Sequence, residues 1–195
     1  MRIVALALAF MALVSLLGSA NAARYGSEAD RLLIQRAYLE EARRTLNHEL
    51  AEIRSQADLQ RHVQQQLGRG SPLDALSPHA KNRFLRSLVF SETGLASYRY
   101  DDLAAELTVA DAYKILQLFG VQNTIGVLRG ARTADGLDEQ ILDYESRTGE
   151  VLPASFLEGY ICVGPQGCRR NSNWACTSHC GRHDLEPFSA PVREL

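Results

Sequence analysis

The segment from Thr108 to Leu128 has the strongest hydrophobic pattern in the chain and predicts where the core lies. Apolar side chains cover nearly every face of its first half, at Val109, Ala112, Tyr113, Ile115, Leu116, Leu118 and Phe119. A helix that is apolar on most faces is buried on most faces. Thr108 and Asp111 form a pattern that can cap the first helical turn, and Gly120 supplies a stop. The pattern therefore predicts a central helix from Val109 to Phe119.

The stretch from Ser27 to Leu67 shows a heptad repeat of apolar positions. The repeat consists of Leu32, Leu39, Leu46 and Ile53, with charged residues on the other faces. One interpretation is an amphipathic helix that docks this stripe on the core. The other is a coiled-coil seam, in which the Leu32–Ile53 face pairs with a partner or with a second copy as a homo-oligomer. The stretch is predicted to be one long helix or two in line. Ser55 and Asp58 repeat the capping pattern, and a break there would let the helix fold back.

The remaining pattern predicts shorter helices separated by turns. Ser77 and Pro78 are typical of a helix start, and an apolar side through Val89 extends this helix until Gly94. Residues 95–100 alternate poorly and are interpreted as an extended connector. Further helices are predicted from the Asp101-Asp102 cap to Leu107 and from Leu137 to Ser146. Together these elements predict an all-α, multi-helix globular domain over residues 23–152.

The N-terminal residues have the pattern of a secretory signal peptide. Arg2 precedes an apolar run from Ile3 to Leu17, and Ala20-Asn21-Ala22 matches an A-x-A cleavage site. The prediction is a cleaved signal peptide over residues 1–22 and a periplasmic or secreted protein. No later apolar run is long enough to span a bilayer, so no transmembrane segment is expected in the mature chain.

Composition excludes one class of partner and indicates the source. The net charge is only −2, and lysine occurs only at Lys81 and Lys114 among many arginines. This bias is typical of a GC-rich bacterium. Without a strong basic field, binding to nucleic acid is not expected.

All four cysteines fall within residues 153–195, where the helical periodicity stops. They are Cys162, Cys168, Cys176 and Cys180. Behind a signal peptide they predict two disulfides, because the export compartment is oxidising. A short helix from Trp174 to Cys180 would place Cys176 and Cys180 on one face without pointing them at each other. Each is therefore expected to pair with Cys162 or Cys168, which makes this region a disulfide-stapled extension.

A metal site is an alternative use of the same region. His179 and His183 are four residues apart with Asp184 adjacent, which on a helix could hold zinc with a third ligand. The main expectation is nevertheless that no metal or other cofactor is bound. The remaining histidines, His48, His62 and His79, are predicted to be solvated.

The run Cys180-Gly181-Arg182-His183-Asp184 resembles the C-x-R-H-D helix motif of secreted bacterial phospholipases A2. Upstream, Tyr160–Gly164 is similar to the calcium loop of that family. The resemblance implies a small secreted hydrolase with His183 as general base and Asp184 as a calcium ligand. Where the family continues with another helix, this chain has Pro187 and Pro191. The orienting carboxylate that a general base needs is therefore not supplied there.

The function predicted first is non-enzymatic binding of another macromolecule, either a protein or a component of the cell envelope. Arg169, Arg170 and Trp174 are the expected contacts, because arginine and tryptophan are enriched at binding hot spots. The alternative is the hydrolase that would use His183 and Asp184.

Overall fold

The computed structural model describes residues 28–128, 130–149, 156–164 and 167–181. The chain divides into two compact units, residues 1–39 and 40–195. In the first unit the described residues, 28–39, are helical. The predicted signal peptide lies outside the described residues, as do His183 and Asp184.

Helices account for most of the described chain. The α-helices are α1 (Glu28–Leu50), α2 (Gln56–Gln65), α3 (Pro78–Ser87), α4 (Asp101–Glu106), α5 (Val109–Leu118) and α6 (Gly136–Gly149). Two 3₁₀ helices follow α2 and α5, at Pro72–Ala75 and Gln122–Val127. Within the described residues, no helix is both long and apolar enough to cross a membrane.

The prediction of an all-α fold is wrong, because four strands form an antiparallel sheet. The strands are β1 (Val89–Ser91), β2 (Gly94–Arg99), β3 (Phe156–Cys162) and β4 (Cys168–Thr177). Their order in the sheet is β1-β2-β4-β3, so the C-terminal hairpin pairs with the hairpin that follows α3. The disulfide-rich region is thus part of the sheet.

Two features of β1 and β2 explain why they were missed. The helix predicted to reach Gly94 ends at Ser87, because the apolar residues after it enter a strand. The predicted connector is β2, which is buried on both sides and therefore shows no alternation of apolar and polar residues. Leu95 and Tyr98 belong to the main core, whereas Ala96 packs in the cluster that contains Cys162 and Cys176.

The predicted central helix is present as α5 and ends one residue earlier than expected. The Thr108 hydroxyl accepts a hydrogen bond from the Asp111 amide at 3.2 Å, as the capping pattern predicts. Gly120 has a φ of +71°, and a Cβ there would lie 2.8 Å from the Asn47 carbonyl oxygen. Glycine therefore serves both the helix stop and the close approach of the end of α1.

The break near Ser55 is confirmed, but docking of the whole apolar stripe is wrong. The Ser55 hydroxyl accepts from the Asp58 amide and caps α2. Within the second unit, Leu46 is 52% exposed, whereas Ile53 lies beyond α1 and is fully buried. In residues 40–50, the half-buried positions are instead Glu40, Arg43, Arg44, Asn47 and His48.

Candidate functional site

The C-terminal hairpin is held by the two predicted disulfides. Cys162 bonds to Cys180 and Cys168 to Cys176, and no described cysteine is free. The expected pairing scheme is therefore observed, although its structural reason was wrong. Cys176 lies in β4 and Cys180 in the turn that follows, so the predicted helix from Trp174 to Cys180 does not form.

The register between β3 and β4 leaves part of β4 unpaired with β3. Glu158 pairs with Ala175, but the next pair along β3 is Tyr160 with Arg170. Gly159 therefore faces four residues of β4, Asn171–Trp174, which form a bulge. Asn173 has a φ of +65°, the only positive φ outside glycine among the residues described. Its carbonyl accepts a hydrogen bond from the Tyr100 amide at 3.0 Å, which ties the bulge to the body of the fold.

The three predicted contact residues lie in this region. We call residues 169–174 the stapled segment, because the Cys168–Cys176 disulfide closes a ring around them. Arg169 and Arg170 are exposed, and Trp174 is half-buried opposite Arg99 of β2. Consecutive strand residues point to opposite faces, so the two guanidinium groups project on opposite sides of the hairpin.

A cleft of about 450 Å³ opens beside the base of the hairpin. Its walls come from α1, from the turn between β1 and β2, from the second 3₁₀ helix and from the turn after β4. The lining residues are Glu41, Arg44, Thr45, His48, Thr93, Gly120, Val121, Asn123, Thr124, Thr177, Ser178, His179, Cys180 and Gly181. Apart from the ion pair of Arg44 with Glu41 at 3.2 Å, this lining is largely uncharged and rich in hydroxyl groups.

Two histidines meet in the cleft. The ring centroids of His48 and His179 are 4.9 Å apart, and the rings are tilted by 33°. Gly94 lies against both rings, since a Cβ there would be 3.3 Å from His48 and 3.4 Å from His179. Burial, and to a lesser extent the neighbouring His48, lowers the pKa of His179 to about 4. At neutral pH this imidazole is therefore uncharged.

The prediction that His48 is solvated is wrong. The ring lines the cleft, and its Nε2 atom is buried with no hydrogen-bond partner in the described structure. No local pattern signals the contact with His179, because the two residues lie on elements at opposite ends of the described chain. His79 is exposed, as the sequence predicts.

His62 is also buried, contrary to prediction, and connects two side chains. Its Nδ1 lies 2.7 Å from Glu52 Oε1, and its Nε2 lies 2.8 Å from Ser71 Oγ. These contacts have the connectivity of a serine–histidine–acid triad. In a catalytic triad the serine is accessible and the acid is buried. Here Ser71 is only 7% exposed, whereas the Glu52 side chain is 53% exposed.

The surroundings of Ser71 indicate a structural role for these contacts. Its Oγ also accepts from the Leu73 amide at 3.3 Å and caps the first 3₁₀ helix. The nearby amides of Gly68 and Gly70 donate to the Asp74 carboxylate, so they do not form a free oxyanion hole. The contacts of His62 therefore tie α2 to the loop before the 3₁₀ helix and leave no open nucleophile.

The alternative metal site and the hydrolase site fall mainly outside the described residues. His183 and Asp184 cannot be placed, and the third alternative metal ligand, His179, contacts His48 instead. Cys180 and Gly181, which begin the phospholipase-like motif, lie in a turn rather than a helix. In the described residues the one cluster of three or more metal-ligating groups is Cys162, Cys176 and Cys180, and all three sulfurs are in disulfides.

Comparison with known proteins gives no family for this chain. No family model, curated protein or solved structure matches it. The functional argument therefore depends on the chemistry and geometry of the residues described above.

Proposed function

We propose that this protein is an exported, non-enzymatic binding module that contacts another macromolecule through the stapled segment. The observation that carries the proposal is the bulge in β4, which exposes polar side chains next to the paired Arg169 and Arg170 within a ring closed by a disulfide. Five consecutive residues, from Arg169 to Asn173, are exposed on it. Packing of the hydrophobic core does not require these residues to be exposed on a bulge.

The shape of the stapled segment favours binding because its backbone is ordered before contact. Each residue that must be ordered on binding costs about 1–2 kcal/mol of backbone entropy. Here the disulfide, the pairing with β2 and β3 and the hydrogen bond from Tyr100 restrict the segment in the free protein. A partner then meets a preorganised surface and gains more of the contact energy as affinity.

The side chains of the segment favour an acidic partner surface. Arg169 and Arg170 present planar guanidinium groups, which bind carboxylates or phosphates in a bidentate manner. Trp174, at the other end of the stapled segment, adds a large aromatic surface. We therefore infer a protein or cell-envelope component with exposed acidic groups. A second surface is offered by α1, where the Leu46 and Leu50 side chains are exposed. A homo-oligomer would form through this surface.

The location proposed is the periplasm or the extracellular space. The two disulfides are compatible with an oxidising compartment. Within the described residues, no helix that could span a membrane argues against this location. This location would place the stapled segment in contact with envelope components.

A capture experiment with matched variants tests the proposal. Tagged mature protein would be used to recover partners from the exported fraction, with Arg169→Ala/Arg170→Ala and Trp174→Ala as test variants. Arg69→Ala/Arg86→Ala is the control, because it removes two exposed arginines and the same charge elsewhere in the same unit.

We expect a partner that is recovered by the wild type and the control but lost or strongly reduced with both test variants. Circular dichroism and melting should be nearly unchanged in all of them. Equal recovery by the test variants and the control would contradict a role for the stapled segment.

A further inference from the structure

Three of the four sulfur atoms of the two disulfides lie in one cluster. The Sγ atoms of Cys162, Cys176 and Cys180 are all within 4.8 Å of one another. Cys162 and Cys180 are bonded together, but Cys176 is bonded to Cys168. Cys176 therefore lies beside a disulfide to which it does not belong.

The four sulfur-bearing residues differ in exposure in a way that sets an order of attack. Cys176 is 1% exposed and Cys162 is 7% exposed. Cys168 and Cys180 are half-buried, so each disulfide joins a buried residue to a more accessible one. Disulfide exchange requires a thiolate to reach one sulfur while the other leaves. An external thiolate would reach Cys168 more readily than Cys176, and the leaving thiolate would then form inside the cluster.

We propose that the four cysteines form a thiol–disulfide exchange site, in which Cys176 exchanges its bond to Cys168 for a bond to Cys162 or Cys180. The external reactant is a thiol compound, which attacks as its thiolate. Its sulfur bonds to Cys168 Sγ, the Cys168–Cys176 bond breaks, and the electron pair leaves on Cys176. The products of this step are a mixed disulfide at Cys168 and a Cys176 thiolate.

In the second step Cys176 attacks the neighbouring Cys162–Cys180 disulfide. Attack on Cys162 forms a Cys162–Cys176 bond and expels Cys180 as a thiolate, whereas attack on Cys180 expels Cys162. The expelled thiolate takes a proton from water. Each step makes one sulfur–sulfur bond and breaks one, so no further oxidant or reductant is consumed.

The exchange would alter the ring around residues 169–174, because the Cys168–Cys176 bond closes it. Opening that bond frees one end of the stapled segment, and the new disulfide then joins Cys176 to Cys162 or Cys180. The exchange chemistry does not depend on the proposed binding function, since it needs only the sulfur cluster and a thiol.

A single substitution isolates the second step. Cys168→Ser leaves Cys176 without its partner beside an intact Cys162–Cys180 disulfide. The mature variant would be purified under oxidising conditions, quenched with acid, alkylated and mapped by mass spectrometry of its peptides. We expect Cys176 to be found in disulfides with Cys162 or Cys180 in a substantial fraction of the molecules.

The matched control is Cys176→Ser, which also removes one partner of the same disulfide. It leaves Cys168, which is not a member of the group whose sulfurs lie within 4.8 Å of one another. We expect this control to keep the Cys162–Cys180 bond, with Cys168 alkylated. Equal fractions of non-native disulfide in the two variants would overturn the proposal, as would a Cys168→Ser protein with only the Cys162–Cys180 bond.

Wild-type protein provides a second test that does not depend on the folding of a variant. Under native conditions, less than one equivalent of a small thiol should produce peptides linked between Cys176 and Cys162 or Cys180. Recovery of only the native pairs and mixed disulfides at Cys168 would overturn the proposal equally.

Discussion

Replacing Leu116 with alanine should destabilise the protein far more than the same change at Leu46. Leu116 lies in α5 and is fully buried in the main core, whereas Leu46 is 52% exposed on α1. Shortening a buried leucine to alanine loses about 2.4 kcal/mol of transfer free energy, at about 0.8 kcal/mol per buried methylene. The cavity that remains adds to this loss, which gives about 2–5 kcal/mol in total. An exposed substitution usually changes the free energy of unfolding by less than about 0.5 kcal/mol.

Urea denaturation followed by circular dichroism measures both changes. With a slope of about 1–3 kcal/mol per molar urea, Leu116→Ala should lower the midpoint by roughly 1 M or more. Leu46→Ala should leave the midpoint nearly unchanged, and both variants should keep the wild-type slope. Equal midpoints for the two variants would refute the assignment of α5 as the central buried helix.

Three further outcomes follow from the sequence and the structure. N-terminal sequencing of the exported protein should begin at Ala23, and an uncleaved form would contradict the signal peptide. Because burial lowers the folded-state pKa of His179 from 6.5 to about 4, its contribution to stability is complete above pH 6.5 and is lost as the pH falls towards 4. The melting temperature, measured as a function of pH, should fall over this range, and the fall should be smaller in His179→Asn. His183→Ala should leave partner capture unchanged, whereas loss of a hydrolytic activity in that variant would favour the alternative function.

Local sequence signals predicted the elements that local interactions stabilise. The caps at Thr108 and Ser55 hydrogen-bond to backbone amides three residues away, so a pattern of four residues was enough to find them. The disulfides followed from the cysteine count and the export signal. Their pairing scheme was argued from a helix that does not form, because Cys176 lies in a strand and Cys180 in the turn after it.

The sheet and the cleft could not be predicted because they depend on contacts between distant segments. β2 is buried on both sides, and β4 is polar over most of its length, so neither shows the alternation typical of a half-buried strand. The bulge at Asn171–Trp174 appears only when β4 pairs with β3. Likewise, the heptad leucines indicate a helix but do not specify that Leu46 remains exposed.

Amide hydrogen exchange of the mature protein, with and without a captured partner, tests the role of the stapled segment most directly. If residues 169–174 form the binding surface, their amides should exchange more slowly in the complex. Peptides from residues 40–50 of α1 should be unaffected. Unchanged exchange at residues 169–174 together with protection of residues 40–50 would contradict the proposed function, because the partner would then bind the exposed face of α1.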